Sequence, residues 1–343
     1  MDELVARLRE ALVDDEAWIV GGAIRDELLE RTVVDVDVAC REPREAARAF
    51  ARGGAGAPFP LSERHGAWRV VLEDSRTVDF TPLPVGIAED LATRDFTINA
   101  MAREVGGAEL VDPFDGRADV AARTIRAVSP GVFAADPLRL LRAVRLEDEL
   151  GFRCDPATER LVRDNAELVV RPAGERILGE LERLSVAGYR RLDELGLLAA
   201  LDGSPNLADR AELVDSPEFR LVCFLGDRLE RLPISRRLGR YARTLLRAEA
   251  PADPSTRAIH RFRRATEPWA IDALAFVGAW AIEPEVVAAR AREPAEPLLR
   301  GDELGLPPGP EIGQLLDFIA EERAAGVVST REEALDLVRS RAR

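Results

Sequence analysis

The 343-residue sequence contains no lysine, so all 48 of its basic residues are arginine. It has only two histidines, His65 and His260, and three scattered cysteines that form no C-x-x-C pair. The scarcity of histidine argues against a His-rich metal site and against histidine as the principal acid–base catalyst. Because Cys40, Cys154 and Cys223 are odd in number and far apart, they favour buried thiols over a disulfide framework or a zinc site.

Long apolar runs are also missing from the chain. No run approaches the roughly 20 residues that a membrane-spanning helix needs. The N-terminal segment Met1–Leu4 lacks the basic and then apolar pattern of a signal peptide. Both observations predict a cytoplasmic protein that does not enter a membrane. A hydrophobic content of 46% and a charged content of 32% fit a folded chain, and its length predicts two or more subdomains.

The balance of charge is acidic, with a formal net charge of −14. A chain of this charge does not bind nucleic acid through its bulk electrostatic field. Arginine is nevertheless the better side chain for bidentate contacts to phosphates and bases. Any surface for nucleic acid on this protein must therefore be a local patch of arginines within an acidic whole.

The first part of the chain mixes helix and strand signals, whereas the rest is almost wholly helical. From about Phe133 onward, apolar residues recur at helical spacing. Before that point, β-branched runs bounded by turn residues are typical of strands. The predicted strands are Ala17–Val20, Val33–Ala39, Ala67–Leu72 and Thr77–Thr81, and the predicted helices of this part are Met1–Leu12, Asp26–Glu30, Pro43–Arg52 and Asp95–Ala102. The sequence therefore predicts an α+β head followed by an all-α remainder.

Two acids two residues apart, Asp35 and Asp37, lie in the strand-like run Val33–Ala39. Alternate residues of a strand share one face, so both carboxylates project the same way. Two like charges held side by side are costly unless a cation lies between them. Paired Mg²⁺ ions that clamp a triphosphate would remove that cost. The alternative is a pair of solvent-facing acids, but the apolar neighbours on both sides indicate a buried strand end.

A pair of glycines, Gly21 and Gly22, separates a predicted strand from a predicted helix. Glycine lets the backbone approach a phosphate closely, and a helix N-terminus supplies N–H donors. Arg25 would add a charge-assisted, bidentate contact to the phosphate. A Gly-Gly turn alone can be purely structural, but its place shortly before Asp35 and Asp37 predicts a phosphate-binding turn.

Two further residues are candidates for the same site. Asp79 stands in the apolar strand segment Val78–Thr81 and would complete a three-carboxylate metal site; the alternative is an acid on an edge strand. Arg94 directly precedes the predicted helix Asp95–Ala102, where it would reach a triphosphate. The alternative is that this segment is only a helix start, with Asp95 or Thr97 as its N-cap.

Arginines recur every third residue after Asp136. The spacing predicts that Arg139, Arg142 and Arg145 form one basic ridge on a helix. The alternative is a solvated face paired with neighbouring acids. Asp136 accepts hydrogen bonds and Arg139 donates them, so together they offer a mixed edge that is suited to recognising a base.

In the order and content of these motifs, the chain resembles the bacterial class II tRNA nucleotidyltransferases. That family comprises CCA-adding enzymes and bacterial poly(A) polymerases within the DNA polymerase beta superfamily. The motifs that carry the resemblance are Gly22–Asp26, Asp35–Asp37, Arg94–Ala100, Asp112–Gly116, Asp136–Arg145 and Glu175–Leu181, and the tail segments Leu299–Leu304 and Gly309–Leu316 are similar too. The resemblance therefore extends over nearly the whole chain.

The resemblance implies four parts and an activity. The parts are a catalytic nucleotidyltransferase head with a mixed sheet at 1–128, a neck that selects the nucleotide base at 129–185, a helical body at 186–255 and a helical, tRNA-binding tail at 256–343. The implied activity is template-independent addition of C, A or both from CTP and ATP to the 3′ end of tRNA. It would proceed by two-metal nucleotidyl transfer with Mg²⁺ and release of pyrophosphate. The oligomeric state stays open.

The resemblance also implies a role for each site residue. The metal ligands would be Asp35 and Asp37, with Asp79 at the position of a third acid. The triphosphate would be bound by Gly22, Arg25 and Arg94, and the base would be read by Asp136 and Arg139. Arg142 and Arg145 would support the nucleotide or order that helix. Glu175 and Arg176 would brace the neck rather than react.

One segment departs from many CCA-adding relatives. Pro82–Ile87 is short where those relatives carry a longer flexible loop, and in this it resembles the CC-adding members. A CC-adding-only enzyme is therefore one alternative, and a poly(A) polymerase is another, although the acidic balance argues against it. An inactive RNA-binding protein is an alternative of a different class, but such a chain would be expected to have lost Asp35 and Asp37.

A second arginine pattern predicts where RNA would bind. Arg236, Arg240, Arg243 and Arg247 fall on one face of a helix within 234–248. More arginines follow in the segment 257–264. Each group could be an ordinary solvated face, but in an acidic chain an arginine stripe favours a local phosphate track.

Overall fold

The structure, a computed structural model, describes residues 2–12, 16–53, 56–62, 66–294, 296–307 and 309–341. His65 lies outside these ranges. The chain divides into two compact units, Met1–Leu201 and Asp202–Arg343. The four parts expected from the sequence, with boundaries after residues 128, 185 and 255, stay predictions.

A mixed seven-stranded sheet forms the centre of the first unit, as far as the described residues show. Its strands are β1 Ala17–Val20, β2 Asp35–Cys40, β3 Pro58–Ser62, β4 Ala67–Val71, β5 Thr77–Pro82, β6 Ala102–Glu104 and β7 Leu110–Val111. They lie in the order β3-β4-β5-β2-β1-β6-β7. The β2–β5 pair is parallel and the other neighbouring pairs are antiparallel. This confirms the mixed sheet of the predicted α+β head.

Helices cover the sheet and continue beyond it. They are α1 Asp2–Ala11, α2 Gly22–Leu28, α3 Pro43–Arg52, α4 Ile87–Ala92, α5 Gly116–Ala121, α6 Val132–Ala135, α7 Arg139–Leu150, α8 Pro156–Asp164, α9 Gly174–Leu181, α10 Val186–Glu194 and α11 Leu197–Ala200. The otherwise helical stretch after residue 128 contains one short strand, β9 Arg153–Cys154, which pairs in parallel with β8 Thr124–Ile125.

Alternation along the central strands explains which face becomes core. Val36 and Val38 of β2 are buried, and Val38 lies opposite the fully buried Phe80 of β5. Phe50 of α3 packs on Phe80 with 5.9 Å between the ring centroids. Because successive strand residues point to opposite faces, Asp37 is turned to the other face of the sheet, away from this core.

Three local predictions differ from the structure. Helix α2 begins at Gly22 rather than Asp26. The predicted helix Asp95–Ala102 is wrong: the segment makes a single 3-10 turn at Thr97–Asn99 and then enters β6. The Asp95 carboxylate accepts from the Phe96 N–H at 2.8 Å, and such local side-chain bonds compete with a regular helix. Strand β3 was not predicted because it contains proline, which argues against a strand. Proline is tolerated at the edge of a sheet, where β3 lies.

All regular secondary structure among the described residues of the second unit is helical. Its α-helices are α12 Ala208–Ala211, α13 Pro217–Leu225, α14 Arg236–Arg247, α15 Thr256–Thr266, α16 Ala270–Val277, α17 Glu283–Arg292, α18 Pro310–Ala324 and α19 Arg331–Arg341. Residues 202–205 and 251–255 are loops in the structure. Within the described ranges, no helix has the length and apolar character needed to span a membrane.

Candidate active site

Strand β2 presents both predicted metal ligands on one face of the sheet. Asp35, at the start of the strand, is exposed and accepts from the Thr77 hydroxyl at 2.6 Å. Asp37 is half-buried and lies opposite Asp79 in the parallel register of β2 and β5. Both carboxylates lie on the face opposite to the buried Val36 and Val38, as predicted, but the predicted burial of the strand end is wrong for Asp35.

The electrostatics of Asp37 test whether a cation fits here. Burial raises the pKa of Asp37, and the nearby carboxylates of Asp79 and Asp35 raise it further, while Arg94 acts in the opposite direction. The negative charge of Asp37 is thus under-compensated, and a divalent cation would offset it. Carboxylate oxygens are also the ligands that Mg²⁺ prefers. The residues present fit a divalent metal ion.

The protein itself supplies only part of a coordination shell. Within the described residues, no group of three or more His, Cys, Asp or Glu side chains is arranged to hold a metal ion. Mg²⁺ is commonly bound through one or two carboxylates, with water and substrate phosphates completing the octahedron. A two-carboxylate site at Asp35 and Asp37 therefore points to a phosphate-bearing substrate.

Asp79 differs from its neighbours. Both of its carboxylate oxygens accept from Arg69, Oδ1 from Nε and Oδ2 from Nη2, each at 2.6 Å. A bidentate arginine pair of this kind is strong and geometrically specific. Asp79 stands next to Asp37 as predicted, but to ligate a metal it would have to share or leave Arg69. Its predicted part in catalysis stays a prediction.

Gly21 and Gly22 bring the backbone close to three charged groups. Gly21 has φ of 73°, and a Cβ atom there would lie 3.6 Å from both Arg94 Nη1 and Asp37 Oδ2. At Gly22, a Cβ atom would lie 3.3 Å from Arg25 Nη2. The positive φ explains why glycine occupies position 21. The turn therefore lies beside the carboxylate of Asp37 and the guanidinium groups of both arginines.

Arg25 is held from two sides. Its Nε and Nη2 donate to the two oxygens of Asp26, each at 3.0 Å, and its Nη1 donates to Asn99 Oδ1 at 2.6 Å. Asn99 in turn donates through Nδ2 to Asp95 Oδ1 at 3.0 Å. Arg94 is paired separately, through Nε and Nη2, with Asp90 at 3.0 and 2.8 Å.

The predicted base-reading pair lies at the N-terminal end of α7. Asp136 precedes the helix and accepts from Arg176 Nη2 at 2.8 Å and from the Leu138 N–H at 3.2 Å. Burial would raise the pKa of Asp136, but these hydrogen bonds and the charges of Arg176 and Arg139 hold it below its ordinary value. Asp136 is therefore an ionised acceptor at neutral pH.

Arg139 reaches back to the segment that precedes the one-turn helix. Its Nη2 donates to the Thr93 carbonyl oxygen at 2.7 Å, and its Nη1 lies 3.5 Å from the Arg94 carbonyl oxygen. Arg139, the arginine predicted to read the base, is thus bonded to the chain directly after α4.

The predicted basic ridge is largely neutralised inside the unit. Arg142 pairs with Asp95 at 2.8 Å. Arg145 is 7% exposed and pairs with Glu180 at 2.6 Å and with Glu149 at 2.8 Å. Arg145 is buried, whereas the Arg142 side chain is 34% exposed. Their ion pairs hold α7 against neighbouring segments, and their predicted contact with the nucleotide stays a prediction.

One cavity of about 740 Å³ unites these groups. Its lining includes all the predicted metal and nucleotide residues except Asp79, namely Gly22, Arg25, Asp35, Asp37, Arg94, Asp136, Arg139, Arg142 and Arg145. Carboxylates that fit a metal, arginines that fit phosphate and a mixed edge that fits a base therefore share one space of nucleotide size.

Sequence reasoning missed three residues that organise this site. Arg69 was foreseeable, because a hairpin centred on the turn at 73–75 sets position 69 opposite Asp79. Asn99 and Glu180 belong to motifs that carry the resemblance, but their partners lie far away in the sequence, so no role was assigned to them.

In the second unit, α14 presents the predicted arginine stripe. Arg236, Arg240, Arg243 and Arg247 are all exposed. Arg243 pairs with Glu230 at 2.9 Å, whereas no described carboxylate lies in ion-pair contact with the other three. The arginines of α15 differ, because Arg257, Arg261, Arg263 and Arg264 are all engaged with acids, mainly on α18. They do not extend an open track.

Comparisons with known proteins agree on one family. A family model described as the poly A polymerase head domain matches residues 17–85 and 71–126. A CC-adding tRNA nucleotidyltransferase of Geobacter sulfurreducens is 35% identical over 93% of this chain and 90% of its own length. An A-adding tRNA nucleotidyltransferase of Deinococcus radiodurans is 33% identical over 93% of this chain and 94% of its own. The solved Bacillus stearothermophilus CCA-adding enzyme in complex with CTP is 25% identical, with a TM-score of 0.76 over 99% of this chain and 96% of that one.

Proposed function

The chain belongs to the tRNA nucleotidyltransferase family, and we propose that it adds C, A or both from CTP and ATP to the 3′ end of tRNA without a nucleic-acid template. The observation that carries this proposal is the shared cavity. Asp35 and Asp37 line it together with Asp136 and Arg139, so one site can hold a nucleoside triphosphate by its phosphates and by its base. A cytoplasmic place of action stays a prediction from the sequence.

Asp35 and Asp37 would hold the divalent metal, which we propose to be Mg²⁺. When bound, such ions neutralise phosphate charge and lower the pKa of a coordinated hydroxyl. The residues around them orient the reactants. The tight turn at Gly21 and Gly22 leaves room for phosphate oxygens, and the guanidinium groups of Arg25 and Arg94 would bind them. The reaction joins the tRNA 3′ oxygen to the α-phosphorus of the nucleotide and breaks the bond to the pyrophosphate oxygen.

Base choice would follow from hydrogen-bond chemistry at Asp136 and Arg139. Cytosine and adenine both present an exocyclic amino group beside an unprotonated ring nitrogen. The carboxylate of Asp136 can only accept, which suits the amino group, and the guanidinium of Arg139 can only donate, which suits the ring nitrogen. Uracil and guanine present a carbonyl and a ring N–H at those places, so they would leave Asp136 facing an acceptor and Arg139 facing a donor.

A product that ends at CC is the second candidate, favoured by one observation. Strand β5 ends at Pro82 and α4 begins at Ile87, so four residues connect them. The carbonyl oxygen of Thr93, directly after α4, accepts from Arg139. With so short a connection, the segment that positions Arg139 has little freedom to readjust from cytosine to the larger adenine. The CC-adding relative matched above is consistent with this candidate.

We further propose that α14 contacts the tRNA backbone through its exposed arginines, Arg236, Arg240, Arg243 and Arg247. Phosphate contacts of this kind position a nucleic acid without reading its sequence. They allow an acidic protein to bind RNA locally.

A gel-based extension assay tests the proposed function. Purified protein with Mg²⁺ and a tRNA that ends before CCA would receive CTP, ATP or both. We expect extension by two nucleotides with CTP, and a third with both nucleotides only if the enzyme completes CCA. A long ladder with ATP alone would identify a poly(A) polymerase. tRNA binding without extension of this tRNA, or of a tRNA that ends in CC, would identify an inactive RNA-binding protein and overturn the proposal.

A further inference from the structure

We propose that Asn99 is a positioning residue that sets the guanidinium of Arg25 against the nucleotide triphosphate. Asn99 receives a hydrogen bond from Arg25 Nη1 at 2.6 Å and gives one to Asp95 Oδ1 at 3.0 Å. Asn99 thereby links Arg25 to Asp95, the acid that pairs with Arg142 of α7. The inference rests on the proposed function, because it assumes that Arg25 meets a triphosphate.

The chemistry of the partners fixes which way the Asn99 amide points. A guanidinium can only donate, so Arg25 must face the amide oxygen. An ionised carboxylate can only accept, so Asp95 must face the amide nitrogen. Burial would raise the pKa of Asp95, but the charge of Arg142 and the Asn99 hydrogen bond hold it below its ordinary value. Position 99 therefore needs one acceptor and one donor, which asparagine supplies at this length.

Asn99 is itself firmly held. It ends the one-turn helix Thr97–Asn99 and is 6% exposed, and its N–H donates to the Phe96 carbonyl at 2.9 Å. Asp95 is also 6% exposed and is anchored by the Phe96 N–H and by Arg142. Arg25 is thus bonded to a rigid part of the fold, which limits the conformational freedom that it would lose on binding phosphate.

The neutrality of Asn99 matters as much as its hydrogen bonds. Asp26 already pairs with Arg25, and Arg142 already pairs with Asp95. Asn99 connects these two ion pairs without adding charge. A carboxylate at position 99 would repel Asp95 and place a second negative charge on Arg25, which would weaken its attraction for a triphosphate. Asn99→Asp preserves the shape of the side chain but adds a negative charge and replaces the amide donor to Asp95 by an acceptor.

The test measures equilibrium binding of CTP and of CMP, both with Mg²⁺, to the full-length protein. CMP keeps the base and one phosphate but lacks the β- and γ-phosphates. We expect Asn99→Asp and Asn99→Ala to weaken CTP binding about tenfold or more, which corresponds to about 1.4 kcal/mol, while CMP binding changes less than about twofold. Equal weakening for CTP and CMP, or no weakening of CTP, would overturn the inference.

A matched control comes from the same helical turn. Thr97 is 2% exposed and donates through Oγ1 to Asp119 at 2.7 Å, outside the lining of the cavity. Thr97→Val removes a buried hydrogen bond of the same segment, so we expect it to leave the ratio of CTP to CMP affinity unchanged. If Thr97→Val lowers that ratio as much as Asn99→Ala does, the effect is general to the fold and the inference fails.

A double-mutant cycle with Arg25→Ala shows whether Asn99 acts through Arg25. In the Arg25→Ala background, we expect Asn99→Asp to change CTP affinity less than about twofold, because the residue that it positions is gone. A full additional tenfold loss in that background would overturn the inference. Failure of the wild-type protein to bind CTP would instead overturn the proposed function, so the two failures are distinguishable.

Discussion

Asp37 and Asp79 lie directly opposite each other on adjacent parallel strands, yet only Asp79 has an arginine across both of its oxygens. Arg69 compensates the charge of Asp79. Burial raises the pKa of Asp37, and only the more distant charges of Arg94 and Arg142 oppose this, so a bound cation would complete the compensation. This asymmetry favours Asp37, together with the exposed Asp35, as the metal-binding pair.

We therefore expect Asp37→Ala and Asp35→Ala each to abolish nucleotide incorporation while leaving tRNA binding intact. Loss of a metal ligand removes several kcal/mol of transition-state stabilisation, which is a factor of about a thousand in rate. Single-turnover extension of tRNA with CTP measures the rate, and filter binding measures the affinity for tRNA.

The control for this prediction is Asp74→Asn. Asp74 is an acid in the turn between β4 and β5, where it pairs with Arg76 and does not line the cavity. We expect this variant to keep nearly full activity. Retained activity in either alanine variant of β2 would contradict the assignment of the metal site.

Arg139→Ala is expected to damage base selection more than folding. A well-placed hydrogen-bonding side chain supplies about 1–3 kcal/mol of discrimination between bases. Without Arg139, the preference for CTP over UTP should fall by a factor in that range, and the relative use of CTP and ATP should change. Competition between labelled nucleotides measures the selection, and thermal unfolding measures stability. Unchanged selection would refute the base-reading role.

Arg176→Ala tests the ion-pair partner of Asp136, the other residue proposed to read the base. Arg176 and Asp136 pair at 2.8 Å with side chains 52% and 31% exposed, so loss of the pair should cost less than about 1 kcal/mol of stability. Asp136 would keep only the Leu138 N–H, and we expect a higher KM for CTP and weaker rejection of UTP. Arg171→Ala, which removes an exposed arginine outside the cavity lining, is the control. An effect of equal size in both variants would contradict the positioning of Asp136 by Arg176.

Much of the fold could be predicted because its signals are local. The β-branched run around Asp35 and the helix Pro43–Arg52, with proline at its first turn and glycine at its end, were readable from neighbouring residues alone. The segment after Arg94 was not, because buried contacts decide it. Asp95 bonds to Phe96 and Asn99 instead of allowing a regular helix, and Ala102 pairs with Val20.

The candidate site likewise combines residues that local motifs reveal and residues that only tertiary contacts reveal. Residue types and spacing sufficed to select Asp35, Asp37, Asp136 and Arg139, since each belongs to a compact motif. The side chains that orient them come from distant segments. Asn99 meets Arg25 across 74 positions, and Arg145 meets Glu180 across 35. Only tertiary structure brings such pairs together, so their roles could not be assigned from spacing.

The arginines of α14 give a prediction about RNA affinity. In Arg236→Ala/Arg240→Ala/Arg247→Ala, we expect weaker tRNA binding and a smaller dependence on salt. Each lost phosphate contact should reduce the slope of log affinity against log salt by about one. Filter binding between about 50 and 200 mM salt measures this slope.

Helix α15 offers a control with the same number of arginines. Arg257, Arg261 and Arg264 pair with Glu322, Glu321 and Asp317 of α18. Because these guanidinium groups are already engaged, we expect Arg257→Ala/Arg261→Ala/Arg264→Ala to leave the salt slope close to that of the wild type. A larger effect of the α15 substitutions than of the α14 substitutions would contradict the proposal that α14 is the RNA-binding helix.

His260 of α15 predicts how the stability of the protein responds to mild acid. Burial lowers the pKa of His260, with Arg263 and Arg264 acting in the same direction and Glu293 and Glu321 opposing them. The unfolded chain therefore binds a proton at His260 more readily, and stability should fall as pH drops below about 6.5. His260→Gln should reduce this loss. Urea unfolding midpoints of the wild type and of His260→Gln, each at about pH 7.5 and 5.5, measure this loss of stability. Because His65 is present in both proteins, it does not affect the comparison. Identical midpoint shifts in the two proteins would show that His260 titrates alike in the folded and unfolded states.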